Sequence, residues 1–272
     1  MELGLLNKNS ALYSRYSIQQ FGDSDVVHRV IQPSMDLRYL VNAYWYLRIS
    51  AKAKIEKELF IPNGTVALII PISSSIVSEE YGNSTRLKLK TVFMSQKLHT
   101  SVLSPEPGSD LEVVVIFFHP EILASHKKQC MKELSDNLFH RGSDVLGSLA
   151  NHLEEIANTE GNVELMLNKL EMVLRMSVLH KGEVLSEIAI ARKAIMEGHG
   201  AASVDSIAEE IEMHYKKLQR LFTSYIGMTP KEYSSTIRFY SSFYYLLKNP
   251  NSEVFDTAIK FGYHDASHFI KD

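Results

Sequence analysis

Two segments near the C-terminal end of this 272-residue chain repeat one pattern, and the repeat limits the fold more than any other feature. Residues 203–225 read SVDSIAEEIEMHYKKLQRLFTSY and residues 252–272 read SEVFDTAIKFGYHDASHFIKD. Ala258 aligns with Ala208, Phe261 with Ile211, and Phe269 with Leu218 once the second copy is allowed one extra residue. Chance seldom produces such a match. In the first copy Val204, Ile207, Ala208 and Ile211 fall on one face of a short helix, and Leu218, Leu221 and Phe222 on one face of the next. Between Ile211 and Tyr215 there is room only for a tight turn. A small residue such as Ala208 is what two helices need where they cross closely. The pattern predicts two helix-turn-helix units in one chain.

The second helix of the first unit then turns Lys216, Gln219 and Arg220 outward, with Lys217 and His214 at the flank. Arg and Lys can bond guanine O6 and N7, and Gln can pair with adenine, so the face is chemically suited to reading base edges. A solvated helix face is the ordinary alternative for such residues, and the repeat is what favours the reading role. The connector has its own logic. Thr229-Pro230-Lys231-Glu232 is a capping box with proline at the first helical position. Ile237, Tyr240, Tyr244 and Leu247 are its expected buried stripe, and Asn249-Pro250 ends it. About 18 residues at about 1.5 Å each make a rod of roughly 27 Å. Such a spacer can set two heads in successive major grooves, roughly 34 Å apart.

These features resemble the DNA-binding domain of the AraC/XylS family: two helix-turn-helix units, a central linker helix, the segment IGMTPKEY after the first unit and AIKFGYHDASHF in the second. The resemblance covers about 90 residues. It implies base contacts from Lys216, Gln219 and Arg220, and from some of Ala266, Ser267, His268 and Lys271 in the second unit. Where the family usually has glycine in the first turn this chain has Glu212, and a left-handed backbone there costs about 1 kcal/mol. The sequence stops at Asp272, inside the expected second recognition helix. By analogy with LFTSYIGMTPKEY, a phenylalanine, a Gly-x-x-Pro turn and a closing helix are expected beyond it. Phe261, Tyr263 and Phe269 are therefore expected to lack part of their packing, and the second unit to fray.

Before residue 120 the texture is that of strands. In RYLVNAYWYLRI (38–49) Val41, Ala43, Trp45, Leu47 and Ile49 recur every second residue, the period of a half-buried strand. Further strands are expected at 66–72, 86–94 and 111–118, separated by turn residues, which suggests a sandwich or small barrel. YLVNAYWYLRI, ELFIPNGTVALIIPI and VVVIFFHPE are similar to the N-terminal domain of an AraC-type subgroup, and name no effector. After Pro120 the period is helical. Within 162–180, Val163, Met166, Leu167, Leu170, Val173, Leu174 and Val178 form one stripe that must pack on the strand domain or on a second copy of the chain. Another helix is expected at about 183–197.

The expected architecture is thus α+β: residues 1–180 a β-rich sandwich or barrel with following helices, and residues 181–272 an all-α double helix-turn-helix domain incomplete in its second unit. Ten Lys/Arg against twelve Asp/Glu in 183–272 mean that attraction to phosphates must come from a local patch. The start MELGLLNKNS lacks the order of a secretory signal and no run is long enough to span a bilayer, so a cytoplasmic protein is expected. Cys130 alone forms no disulfide and reads as a small half-buried side chain. His28, His99 and His119 are isolated, which speaks against a cupin-like metal enzyme. Asp110 and Glu112 read as a solvated strand-edge pair. His264 and His268 are four apart with a turn between them and are not read as ligands. No catalytic residue, metal or cofactor is expected. The expected partners are double-stranded DNA, a small-molecule effector, RNA polymerase and a second copy of the chain, with no membrane. A helix-turn-helix relic that binds only protein partners is the alternative.

Overall fold

The computed structural model describes residues 26–52, 58–60, 62–72, 76–80, 91–96, 101–105, 108–127, 130–135, 139–177 and 186–271. The strands are β1 (Val26–Ile31), β2 (Val41–Ile49), β3 (Glu58–Phe60), β4 (Val66–Pro71), β5 (Ile76–Glu80), β6 (Val92–Met94), β7 (Ser101–Pro105), β8 (Leu111–Phe118) and β9 (Phe139–Arg141). They form one antiparallel sheet in the order β1-β2-β8-β4-β6-β9 and a second in the order β3-β7-β5. The strands expected at 66–72 and 111–118 are β4 and β8; of the one expected at 86–94, only β6 falls on described residues.

The two faces of the larger sheet belong to different cores. Ala43, Trp45, Leu47 and Ile49 pack with Ala67, Ile69, Met94, Val113, Val115 and Phe117. Val41, Tyr44 and Tyr46 pack on the opposite side with Leu68, Ile70, Phe93, Val114 and Ile116. The period-two reading of β2 therefore holds from Ala43 to Ile49 but not for Val41, which a register shift before Ala43 turns to the opposite core, and it was too modest about that core because Tyr44 and Tyr46 are also buried. Asp110 and Glu112 do structural work here. Asp110 accepts the Ala51 amide at 2.7 Å and Glu112 accepts the Tyr46 hydroxyl at 2.6 Å.

The second of these cores is covered by helices: α1 (Pro120–Lys127), α2 (Met131–Leu134), α3 (Gly142–Leu146), α4 (Ser148–Thr159) and α5 (Val163–Met176). Asn162 caps α5 by accepting from the Glu164 and Leu165 amides. Met166, Leu167, Leu170 and Leu174 are buried in the core under this sheet face, with α4 between them and β4, so the apolar stripe packs within the strand domain. Val178 lies outside the described residues. At the end of α5, Arg175 bonds Asp36 at 2.6 Å and Glu171 at 3.0 Å, and Glu171 accepts the Ser34 amide at 2.8 Å. This ties α5 to the turn before β2.

The remaining helices are α6 (Ser186–Glu197), α7 (Val204–Glu210), α8 (Tyr215–Tyr225), α9 (Pro230–Lys248), α10 (Val254–Lys260) and α11 (Ala266–Lys271). The border expected near Lys181-Gly182 lies outside the described residues. Ile188, Ala191, Ile195, Ile207, Ala208, Leu218, Phe222, Tyr233 and Ile237 make one core, and Ala258, Phe261, Tyr263 and Phe269 another. Among the described residues no helix is long and apolar enough to cross a membrane.

Candidate nucleic-acid interface

The first helix-turn-helix unit is built from local rules. Ser203 accepts the Ser206 amide at 3.1 Å and starts α7, whose first turn carries Asp205 at the positive end of the helix dipole. Ala208, 3% exposed, sits where α7 meets α8. The chain leaves α7 through paired backbone bonds, Met213 N–H to Ala208 O at 2.8 Å and Glu212 N–H to Glu209 O at 3.0 Å. Glu212 takes a left-handed φ of 52°. The second unit repeats this turn: Tyr263 N–H to Ala258 O at 3.0 Å, Gly262 N–H to Ile259 O at 3.0 Å, and a φ of 78° at Gly262. The aligned repeat is therefore a repeat of backbone geometry, and Glu212 holds a conformation its counterpart meets with glycine. Glu212→Gly should stabilise the protein by up to about 0.5 kcal/mol, the left-handed penalty less the backbone entropy glycine loses on folding. A thermal midpoint no higher than that of the parent would contradict it.

His214 opens α8, its Nδ1 accepting the Lys216 amide at 3.3 Å. Leu218 and Phe222 point inward with no exposure. Lys216, Lys217 and Arg220 are exposed, and among the described residues none of the three makes an ion pair. Gln219 is half-buried beside them, its carbonyl taking the Thr223 hydroxyl at 2.9 Å. Between Met213 and Lys231 the chain has four Lys/Arg and no Asp or Glu, whereas α7 and its turn hold Asp205, Glu209, Glu210 and Glu212. The acidic balance of this part of the chain is thus segregated from α8.

In the second unit the extra residue in the turn is used as a cap. Asp265 accepts the His268 amide at 2.8 Å, and its other oxygen lies 3.3 Å from His264 Nδ1. The His268 amide and then His264 hold the Asp265 carboxyl below its ordinary range. Ser267 and His268 are exposed on α11, and the His268 ring stands edge-on to Tyr263 with centroids 5.5 Å apart. Ala266 and Lys271 are the first and last residues of that helix. Neither histidine belongs to a cluster able to hold a metal, and no such cluster occurs among the described residues. The expected shortage of packing around Phe261, Tyr263 and Phe269 is corrected: the three are 9%, 3% and 7% exposed, because Phe239, Tyr245 and Leu246 of α9 cover them.

The capping box at α9 forms as the sequence predicts. Glu232 accepts the Thr229 amide at 2.7 Å and Thr229 accepts the Glu232 amide at 3.2 Å. Its 19 residues make a rod of about 28 Å. Ile237 and Tyr244 are buried, Tyr240 is half-buried, and Leu247 is 39% exposed. The expected stripe fails at its last member, which lies in the final turn of the helix before its cap at Asn249.

Sequence reasoning did not find the contacts that seat the units on the sheet-bearing part. Tyr233 donates to the Gly64 carbonyl at 3.3 Å, and Gln96 donates to the same oxygen at 2.8 Å. A β-carbon on Gly64 would stand 2.8 Å from both Ile237 and Tyr233. Arg192 of α6 bonds Glu121 of α1 at 2.8 Å with side chains 13% and 2% exposed. Helices α1 and α2 also pack on α8, where Gly227 closes against Met131.

Comparisons with known proteins agree with this geometry. Residues 207–272 match a helix-turn-helix domain family, and residues 29–140 match a domain of unknown function (DUF6597). The HTH-type transcriptional activator RhaS of Citrobacter koseri is 29% identical over 111 residues, which is 40% of this chain and 40% of that protein. The aligned part thus spans less than half the length of this curated relative. ToxT from Vibrio cholerae superposes at 12% identity and a TM-score of 0.43 over 90% of this chain and 92% of its own. The AraC-like transcriptional activator CuxR does so at 13% identity and 0.27, over 78% and 91%. Resemblances of backbone this distant carry no weight for function. The paired units and the domain match together define a helix-turn-helix domain in the C-terminal part of the chain.

Proposed function

We propose that this chain binds double-stranded DNA in a sequence-specific way and regulates transcription in response to a small molecule acting on its sheet-bearing part. The observation that carries the proposal is the exposed α8, basic and free of carboxylates, presented by a complete helix-turn-helix. Lys216, Gln219 and Arg220 are proposed to reach base edges, His214 and Lys217 to hold the flanking backbone, and Ser267, His268 and Lys271 to make the second set of contacts. What supports a role for the sheet-bearing part is that α6 rests on its helix α1 and α9 on its Gly64 loop, so a rearrangement there bears on both units. Self-association is proposed through the outer side of α5, where Leu165, Met172 and Met176 are 52%, 55% and 78% exposed.

The test is binding of the full chain to duplexes selected from a randomised pool, measured by fluorescence anisotropy across salt concentrations. Affinity should fall steeply with salt. Arg220→Ala should cost about 1–3 kcal/mol and relax preference at one base pair, whereas Lys217→Ala should lower the salt slope by about one without changing sequence preference. Binding that is weak, blind to sequence and indifferent to salt would instead favour a protein-binding relic.

A further inference from the structure

The two units are joined by more than α9. The loop between α6 and α7 crosses α9 and reaches the turn of the second unit. At Gly200, where φ is +70°, a β-carbon would collide with the Ser234 carbonyl oxygen and stand 2.8 Å from the Arg238 amide nitrogen, so the loop lies directly on the α9 backbone. Beside it His199, a non-glycine residue, is held at a φ of 52°. Its ring meets Phe261 edge-on with centroids 5.8 Å apart. Ala201 closes on Gly262, where an added β-carbon would come within 3.3 Å. From α9, the Arg238 guanidinium lies 4.7 Å from the centroid of the Tyr263 ring and donates to Ser235 at 3.2 Å. Phe261, Gly262 and Tyr263 are the turn that aims α11. The loop and Arg238 therefore hold the very residues that set the direction of the second head.

A single helix fixes the distance between two heads but leaves the far head free to swing about its attachment. Contacts from a second, separate element remove that freedom. We infer that His199 and Arg238 are positioning residues that fix the angle between the two heads, and through it the spacing of the two DNA segments the chain accepts. The inference rests on the DNA-reading role proposed above. One base pair more or less between the segments shifts the second by about 3.4 Å and rotates it by about 34–36°, and a rigid pair of heads cannot follow.

The experiment uses the full chain and a duplex selected from a randomised pool, with variants carrying one base pair inserted or deleted between the two protected segments. The parent should lose about tenfold or more in affinity for either variant, and the His199→Ala/Arg238→Gln double variant no more than about threefold. Binding to a duplex bearing the first segment alone should be the same for both, and His199→Tyr, which keeps a ring against Phe261, should restore the parent's preference. A double variant that keeps the parent's spacing penalty overturns the inference. A second measurement needs no DNA. Nitroxide labels at Lys217→Cys and Ser267→Cys, in a chain carrying Cys130→Ser, should give a narrow distance distribution that broadens in the double variant. An unchanged width overturns the inference even if the parent selects no duplex at all, a result that would separately sink the DNA-reading role.

Discussion

Arg192→Met should destabilise the protein by about 3–5 kcal/mol, the cost of stranding one member of a buried ion pair. Arg192 bonds Glu121 at 2.8 Å in a site where the carboxylate is 2% exposed, and the second carboxylate oxygen, Oε2, has no hydrogen-bond partner among the described residues. Removing the guanidinium leaves that charge in an apolar setting with nothing to offset its lost hydration. Removing both charges is different. Glu121→Leu/Arg192→Met should be close to neutral or mildly stabilising, because desolvation and attraction disappear together. Chemical denaturation of the two single variants and the double variant gives the coupling directly. A loss under 1 kcal/mol in Arg192→Met would mean that the carboxylate finds water. Since the pair bridges α1 and α6, the single variants should also loosen the seat of the helix-turn-helix units on the sheet-bearing part.

Acid should weaken the same region through His119, which follows β8. Burial, with the Arg192 guanidinium nearby, pushes its imidazole down to about 3, while the Arg38 carbonyl, 3.2 Å from Nε2, acts in the opposite direction. In the unfolded chain an imidazole titrates near 6.5. As pH falls below that value the unfolded state takes up a proton that the folded state refuses, so stability is complete above about pH 6.5 and declines toward pH 3. Each tenfold difference in proton affinity is worth about 1.4 kcal/mol, which makes the total at most on the order of 5 kcal/mol. Asp36, held low first by its hydrogen bond to Arg175, has the opposite origin but the same direction. Its contribution is present above about pH 4 and disappears only below it. The interval from about pH 4.5 to 6.5 therefore isolates the histidine. His119→Asn should flatten the stability profile there, and an unchanged slope would show that the imidazole is protonated in the folded protein.

What the sequence made legible was whatever depends on near neighbours. The turn at Glu212, the box at Thr229 and Glu232, and the inward Leu218 and Phe222 are all decided within a few residues, and each forms as read. The outward Lys216, Lys217 and Arg220 follow once the inward face is known. Contacts that close over long separations left no such trace. Gly64 looks like an ordinary turn glycine, and only its meeting with Tyr233, 169 residues later, explains why no side chain fits there. Tyr44 and Tyr46 read as the wet side of a strand because a helical cover supplied by later residues cannot be seen in a period-two pattern. Nothing near Arg192 in the sequence marks it as buried, and its partner lies 71 residues earlier.

The seat of α9 on Gly64 also has a mechanical meaning. Tyr233 is near one end of the helix, and about 22 Å of it runs on from there to Lys248. With the pivot placed so far to one side, a tilt of about 10° at the loop would carry the distal end by roughly 4 Å, slightly more than the 3.4 Å rise of one base pair. Small displacements of the Gly64 loop are thus geared up along the rod: a shift too slight to disturb the strands is enough to carry the far end of α9, and the units locked to it, through roughly 4 Å.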